Sequence, residues 1–475
     1  MVSSAHAISN GLAADGGLFV PKEFPPISMA EIDAMREAPY SARALTVLAR
    51  FLTDYSEEEL RHCVETAYSK ERFGDFPAPL HLLKDNLDVL ELWHGPTCAF
   101  KDMALQILPL FLTKAVQKTG EQKKLVILVA TSGDTGKAAM AGFADVPETE
   151  VIVFYPQEGV SDIQKLQMVT QKGANVHAVA VEGNFDDAQT GVKILFGSRP
   201  LAEELQAHGC AFSSANSINW GRLVPQIVYY FSAYADAVNS GRIENGAPVN
   251  FAVPTGNFGD ILAGFYAKLM GLPVNKFICA SNSNNVLTDF LCTGVYDRNR
   301  TFYNTMSPSM DILISSNLER LLLHTSGSAE KVEGWMQELA ATGKYTVDAE
   351  TLAKIQASFA AGYADDAAGA TEIRVRFERD GYLCDTHTAV AFHVAEANRS
   401  DAPMVVLSTA SPFKFPRDVL AALGETAPES DFATMAALTA KTGAAAPASL
   451  RELDKLPVRF NTVIEPAEIR AAALR

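Results

Sequence analysis

The sequence predicts an α/β protein with two parallel-sheet domains and an N-terminal subdomain. Three observations carry this. Short β-branched runs at 125–130, 151–155 and 176–182 alternate with helical stretches at 137–144 and 161–172. Such alternation builds a parallel sheet. A second alternating group follows a long helical stretch at 223–238: strand 249–253, helix 261–269, strand 276–280. Finally, 475 residues exceed one typical domain, and 48% hydrophobic content supplies a large core.

From the N-terminus, a glycine-rich turn at 11–21 precedes helical patterns at 29–37 and 57–69. These read as an N-terminal subdomain over 1–75. Residues 113–224 carry the first strand–helix group and are expected to form a smaller, mobile α/β domain. Residues 76–112 and 225–475 are expected to form a larger one. Within it, 318–364 reads as mostly helical and 404–408 as a late strand. The Ala-rich stretch 433–448 reads as a mobile linker or a surface helix.

The formal net charge of −16 argues against nucleic acid as the main partner. Apolar runs such as 125–130 are far too short to span a membrane. The first residues lack a basic segment followed by an apolar one, so no secretory signal is expected. The six cysteines are far apart, with no C-x-x-C and no zinc-like spacing. A reducing cytoplasm and no structural metal are the expectation. Cys98 has no base nearby and reads as a packing residue.

The chemistry concentrates at Lys101. It lies in Leu92-Trp93-His94-Gly95-Pro96-Thr97-Cys98-Ala99-Phe100-Lys101-Asp102, ahead of a helical pattern through Met103, Ile107, Leu108 and Phe111. A lysine at a helix start sits in a positive field, which lowers its pKa. A partly neutral lysine suits Schiff-base chemistry with an aldehyde.

Two loops read as anion sites. The stretch from Phe251 to Asp260 runs from strand into helix, and Gly256 and Gly259 let main-chain N–H groups converge. The stretch Thr131-Ser132-Gly133-Asp134-Thr135-Gly136-Lys137 follows another strand. It is no Walker A motif, because Thr131 replaces the first glycine and Ala138 follows the lysine. Its Ser132 and Thr135 hydroxyls suit an anionic substrate. Gly183-Asn184-Phe185-Asp186 reads as a strand-to-helix turn capped by Asn or Asp. Two anion loops fit a substrate and a cofactor that each carry a phosphate.

The ordered set of these motifs, with Gly16 to Pro21, Ser214-Ala215-Asn216-Ser217-Ile218-Asn219 and Ser408-Thr409-Ala410, resembles threonine synthase over almost the whole chain. That family consists of fold-type-II enzymes dependent on pyridoxal 5'-phosphate. The resemblance implies that Lys101 carries the cofactor as a Schiff base. It implies a cofactor-phosphate loop of Gly256, Asn257, Phe258, Gly259 and Asp260 in the larger domain, and a Thr409 hydroxyl at the pyridine nitrogen. It further implies O-phospho-L-homoserine as substrate, with L-threonine and inorganic phosphate as products, in the last step of threonine biosynthesis.

For the leaving phosphate the candidates are Ser132 and Thr135, then Asn216, Ser217, Arg222 and Lys414. Arg222 suits phosphate geometry, with a salt bridge on its own helix as an equal alternative. For Lys414 the alternative is a surface lysine in a Pro-bounded turn. His94 and His387 read as packing and hydrogen-bonding residues. Three departures from the family pattern stand out. Ser411 replaces a frequent His, Cys98 replaces an aliphatic residue, and the chain starts too late to include a short Ser-Thr-Arg-like N-terminal strand. A related fold-type-II phospholyase or dehydratase releasing a 2-keto acid is the alternative reaction, and a non-catalytic binding protein the alternative class.

Overall fold

A computed structural model describes residues 1–13, 15–120, 123–131, 133–158, 160–183 and 185–474, with only the main chain at 185 and 186. Its strands in chain order are β1 (Leu80–Leu82), β2 (Leu87–Glu91), β3 (Lys124–Ala130), β4 (Thr149–Pro156), β5 (Val176–Val181), β6 (Cys210–Ser213) and β7 (Val249–Pro254). There follow β8 (Val274–Ser281), β9 (Val295–Asp297), β10 (Lys344–Thr346), β11 (Phe359–Tyr363), β12 (Met404–Ser408) and β13 (Val463–Ile464).

The larger sheet has the order β1-β2-β12-β7-β8-β11, and only the edge strand β1 is antiparallel. Strands β2, β7 and β12 are buried at every residue. Helices cover parallel sheets on both faces, so their strands read as continuous apolar runs. The second sheet, β13-β5-β4-β3-β6, is parallel throughout. Strands β9 and β10 form a separate antiparallel pair. The fold is therefore mixed α/β with two parallel sheets.

Two local readings are corrected, and two hold with added detail. The helical stretch 223–238 is two helices, Trp220–Leu223 and Gln226–Asn239, divided at Pro225, which has no N–H to donate. The stretch 318–364 holds helices Leu318–Ser326, Ala329–Thr342 and Ala349–Ser358, but also β10 and β11. Strand β11 reads Phe-Ala-Ala-Gly-Tyr, a composition of low strand propensity. Its pairing with β8 and the packing of Gly362 against Val394 override that composition. Of the two alternatives for 433–448 the helix holds: Asp431–Thr442 buries Met435 and Leu438 and ends at a left-handed Gly443. Lastly, the chain beyond 457 does not stay with the larger sheet. Strand β13 adds to the free edge of β5, and Ile469 packs on Gly191 of the helix Phe185–Gly197.

One close approach ties the two halves together. A Cβ built on Gly142, in the helix Asp134–Phe143, falls 2.0 Å from the main-chain oxygen of Leu105. Leu105 ends the short helix that Lys101 begins. Replacing a helical glycine with alanine ordinarily stabilises by about 1 kcal/mol. Here Gly142→Ala is expected to destabilise by about 2 kcal/mol, because the clash is with main chain. A denaturant midpoint measured against the wild type checks this.

Candidate active site

The segment before Lys101 is a strap pinned from both ends. Phe100 N–H donates to the Thr409 carbonyl at 2.8 Å, and Ser411 N–H to the Cys98 carbonyl at 3.1 Å. Ala99 and Ala410 form an isolated antiparallel bridge. Cys98 takes φ +58°, the sharp bend of the strap. Its buried thiol lies 3.2 Å from Ser449 Oγ, and burial pushes its pKa up to about 11. It is a packing residue and no thiolate. The Asp102 carboxylate accepts from Thr97 N–H at 2.7 Å and from Thr97 Oγ1 at 2.9 Å. A Cβ on Gly95 would fall 2.4 Å from Asp102 Cβ, so glycine is required there. These contacts leave Lys101 at the N-cap of Asp102–Leu105, beside Thr409.

The strand leading into the strap is anchored by Glu91. Its Oε2 meets His94 Nε2 at 2.7 Å and His81 Nε2 at 3.0 Å, and Oε1 accepts from Tyr382 at 3.0 Å. His94 also stacks on Trp93, so it has the hydrogen-bonding role expected of it. Burial raises the Glu91 pKa, but His81 and His94 outweigh this and hold it at about 2. A depressed carboxylate stabilises fully above its ordinary value of 4.5, and this is lost as pH falls towards 2. The window amounts to about 3 kcal/mol. Acid unfolding of Glu91→Gln should lack that part of the slope between pH 4.5 and 2.

Around Lys101 Nζ the residues form an ion cluster. Asp134 Oδ2 lies 3.3 Å from Lys101 Nζ, and Asp134 Oδ1 lies 2.6 Å from Lys414 Nζ. Gln164 donates to Oδ1 at 2.9 Å and Ser309 Oγ to Oδ2 at 3.3 Å. Burial pushes the Asp134 pKa up, but Lys414 and Lys101 outweigh it and hold it well below the carboxylate range. Burial lowers the Lys101 pKa; Asp134 opposes this, and Arg222 and Lys414 reinforce it. The direction matches the sequence reading, but the main cause is burial rather than the short helix. Lys414 is fully buried and also donates to the Thr97 carbonyl at 3.1 Å. It is no surface lysine, and it meets the cavity only through Asp134.

The two anion loops differ in construction. In the loop at 131–137, Gly133 N–H and Gly136 N–H donate to Thr131 Oγ1 at 3.0 and 3.1 Å. In the loop at 256–259, Ser315 Oγ donates to the Gly256 carbonyl at 2.8 Å, and Asn317 N–H and Nδ2 donate to the Asn257 carbonyl at 3.1 and 3.0 Å. With the carbonyls held from behind, the N–H groups of Gly256, Asn257, Phe258 and Gly259 make no hydrogen bond among the described residues. Phe258 adopts φ +62°, which turns the chain into the helix Gly259–Leu269. Successive N–H groups at such a turn form an anion-binding nest. Asp260 lies just behind; its Oδ1 accepts from Tyr229 at 2.6 Å and Tyr230 at 2.8 Å. Burial pushes its pKa up to about 6, and its Oδ2 has no partner.

Arg222 is buried, donates to the Ala215 carbonyl at 2.6 Å, and leaves Nε unbonded. No carboxylate pairs with it among the described residues, so the salt-bridge alternative falls away. Burial lowers its pKa to about 10.

One cavity of about 2210 Å³ collects these groups. Lys101, Thr409, Thr135, Asn216, Ser217 and Arg222 line it, as do all five residues from Gly256 to Asp260. Ser132 and Asn184 lie outside the described residues. Sequence reasoning overlooked Asp134 as a partner of Lys101, although it stood in the quoted motif, as well as Gln164, Ser309 and the acceptor role of His387. His387 Nδ1 lies 2.8 Å from Asp385 Oδ2, and its Nε2 accepts from Ser309 N–H at 3.1 Å. Ser309 carries no motif, and only the folded chain brings it to Asp134.

Three family models match in sequence order. They are "Threonine synthase N terminus" over 1–68, "Pyridoxal-phosphate dependent enzyme" over 79–373 and "Threonine synthase, C-terminal" over 388–472. The threonine synthase of Pseudomonas aeruginosa is 40% identical over 86% of this chain and 85% of its own length. The chain belongs to the threonine synthase family. A crystal structure of threonine synthase from Brucella melitensis with bound pyridoxal phosphate superposes with TM-score 0.88 at 38% identity, over all of this chain and 96% of that one. The threonine synthase fold is thus the fold-type-II α/β architecture of these pyridoxal-phosphate enzymes. Threonine synthase-like 1 of Pongo abelii is 42% identical over 88% of this chain, which spans only 58% of that protein.

Proposed function

We propose that the chain binds pyridoxal 5'-phosphate at Lys101 and converts O-phospho-L-homoserine and water to L-threonine and inorganic phosphate. One observation carries this. A buried lysine, a nest of unbonded N–H groups and an arginine without a carboxylate converge on a single cavity.

The residues fit the cofactor. The Gly256–Gly259 turn has no room for a Cβ at Gly256, which would meet the Ser309 carbonyl oxygen at 2.9 Å, and its N–H groups, unbonded among the described residues, suit an anion. That turn and the main-chain N–H of Asp260 would hold the phosphate, Lys101 the aldehyde carbon and Thr409 the ring nitrogen. Bound there, the cofactor supplies an electrophile for the substrate amine and an electron sink for charge at Cα and Cβ.

Lys101, displaced by the substrate amine, takes the proton from Cα. Its lowered pKa leaves it free to do so. Asp134 receives the resulting ammonium and orients it for the next transfer. Arg222, with Asn216 and Ser217, neutralises the phosphate as it departs from Cγ. Thr135, with Ser132, holds the substrate from the opposite loop, and Lys414 keeps Asp134 ionised. The smaller domain closes over the cavity and excludes water until addition at Cβ is due. The six free thiols fit a reducing cytoplasm, where we place the activity.

The test is product analysis with purified protein, cofactor and phosphohomoserine. Threonine and inorganic phosphate in equal amounts are expected. Formation of 2-oxobutyrate and ammonia instead would make it a phospholyase. No yellow chromophore on adding the cofactor would remove the enzyme reading altogether.

A further inference from the structure

Arg320 is a buried cation that no motif singled out. It is 1% exposed and stands third in the helix Leu318–Ser326. Both facts disfavour a guanidinium. Burial costs solvation, and a helix N-terminus repels positive charge. No carboxylate offsets either at hydrogen-bond distance among the described residues.

Its partners explain it. Nε donates to the Phe19 carbonyl at 3.0 Å, Nη2 to the Ile218 carbonyl at 2.8 Å, and Nη1 to the Ser217 carbonyl at 3.3 Å and to Asn317 Oδ1 at 2.5 Å. Three separate segments thus meet on one fork. Two of them form walls of the cavity. The turn at 214–219 has its carbonyls drawn backwards: Asn219 Nδ2 takes Ser214, Arg222 takes Ala215, and Arg320 takes Ser217 and Ile218. The N–H groups of Ser217 and Ile218 make no hydrogen bond among the described residues. Asn317, fixed through its Oδ1, uses its Nδ2 to hold the Asn257 carbonyl of the other nest.

We propose that Arg320 is a positioning residue that fixes the 214–219 turn and the 256–259 turn in one relative geometry, so that both present their N–H groups to the cavity. Only a planar, five-donor group does this. Lysine offers a point charge that cannot span the same carbonyls. For the 214–219 side, the inference rests on the proposed reaction.

Two variants test it. Arg320→Lys keeps the charge and loses the fork. Asn317→Asp keeps the Oδ1 acceptor for Arg320, deletes the Nδ2 donor and sets a carboxylate oxygen against the Asn257 carbonyl. Cofactor affinity is read by spectroscopic titration of apo-protein, thermal stability by melting, and KM and kcat with phosphohomoserine. For Arg320→Lys the expected result is a cofactor dissociation constant raised about tenfold, KM raised about tenfold and kcat within about threefold. For Asn317→Asp a raised cofactor dissociation constant is expected, with KM at saturating cofactor within about twofold. A lower melting temperature with both constants unchanged in Arg320→Lys would overturn the proposal, because a merely structural role gives that. If Arg320→Lys does not fold, Asn317→Asp decides, and an unchanged cofactor constant there also overturns it. A wild type that makes no threonine defeats the proposed function alone, since the cofactor titration still reads the role of Arg320.

Discussion

Lys101→Ala should lose turnover by about 10⁴-fold or more, together with the visible chromophore that borohydride bleaches in the wild type. Two properties of the site set this magnitude. The same Nζ is the proposed covalent anchor and the proposed base, and it lines the cavity beside Thr409, whose carbonyl accepts from Phe100 N–H. Lys414 cannot take its place, because its Nζ is fixed between Asp134 and the Thr97 carbonyl. The fold should survive, since the strap is held by main-chain bonds from Phe100 and Ser411 that do not involve the lysine side chain. A variant that melts near the wild-type temperature but is colourless and inactive is therefore expected. Substantial activity in it would remove Lys101 from the chemistry.

Arg222→Met separates binding from stability. Among the described residues the guanidinium donates one hydrogen bond, to the Ala215 carbonyl, while its Nε is buried and unbonded. An unbonded buried cation contributes little to folding, and a methionine of similar length fills the space. A charge-assisted hydrogen bond to phosphate is worth about 1.5–3 kcal/mol. KM for phosphohomoserine should rise about 10- to 100-fold, with a melting temperature within a few degrees of the wild type. Inorganic phosphate should weaken as a product inhibitor in the same proportion. A variant with unchanged KM would mean that Arg222 serves only to hold the Ala215 carbonyl.

Strands β3, β4 and β5 of the smaller sheet were legible from their β-branched runs, and Lys101 because a rigid turn and a helix frame it; the short edge strands β6 and β13 were not. The turn at 256–259 was legible as an anion loop from its two glycines, and its proposed cofactor role only through the family resemblance. What the sequence hid is whatever depends on partners far along the chain. Strand β11 has the composition of a helix or coil, and only β8 makes it a strand. Lys414 looks like a solvated lysine until the strap is folded over it. Ser309 is an ordinary loop residue whose importance lies in touching Asp134 and His387 together. Arg320 is hidden most deeply, because carbonyl groups, its main partners, have no signature in an amino-acid sequence.

The return of β13 to β5 bears on how the molecule is made. Strand β5 is complete once residue 181 has been synthesised, yet its outer edge stays open until residues 463 and 464 leave the ribosome. For most of translation the nascent chain carries a bare parallel edge, the kind of surface that captures strands from neighbouring chains. A version shortened before residue 460 should therefore accumulate as insoluble protein during expression, even though every residue lining the cavity would still be present.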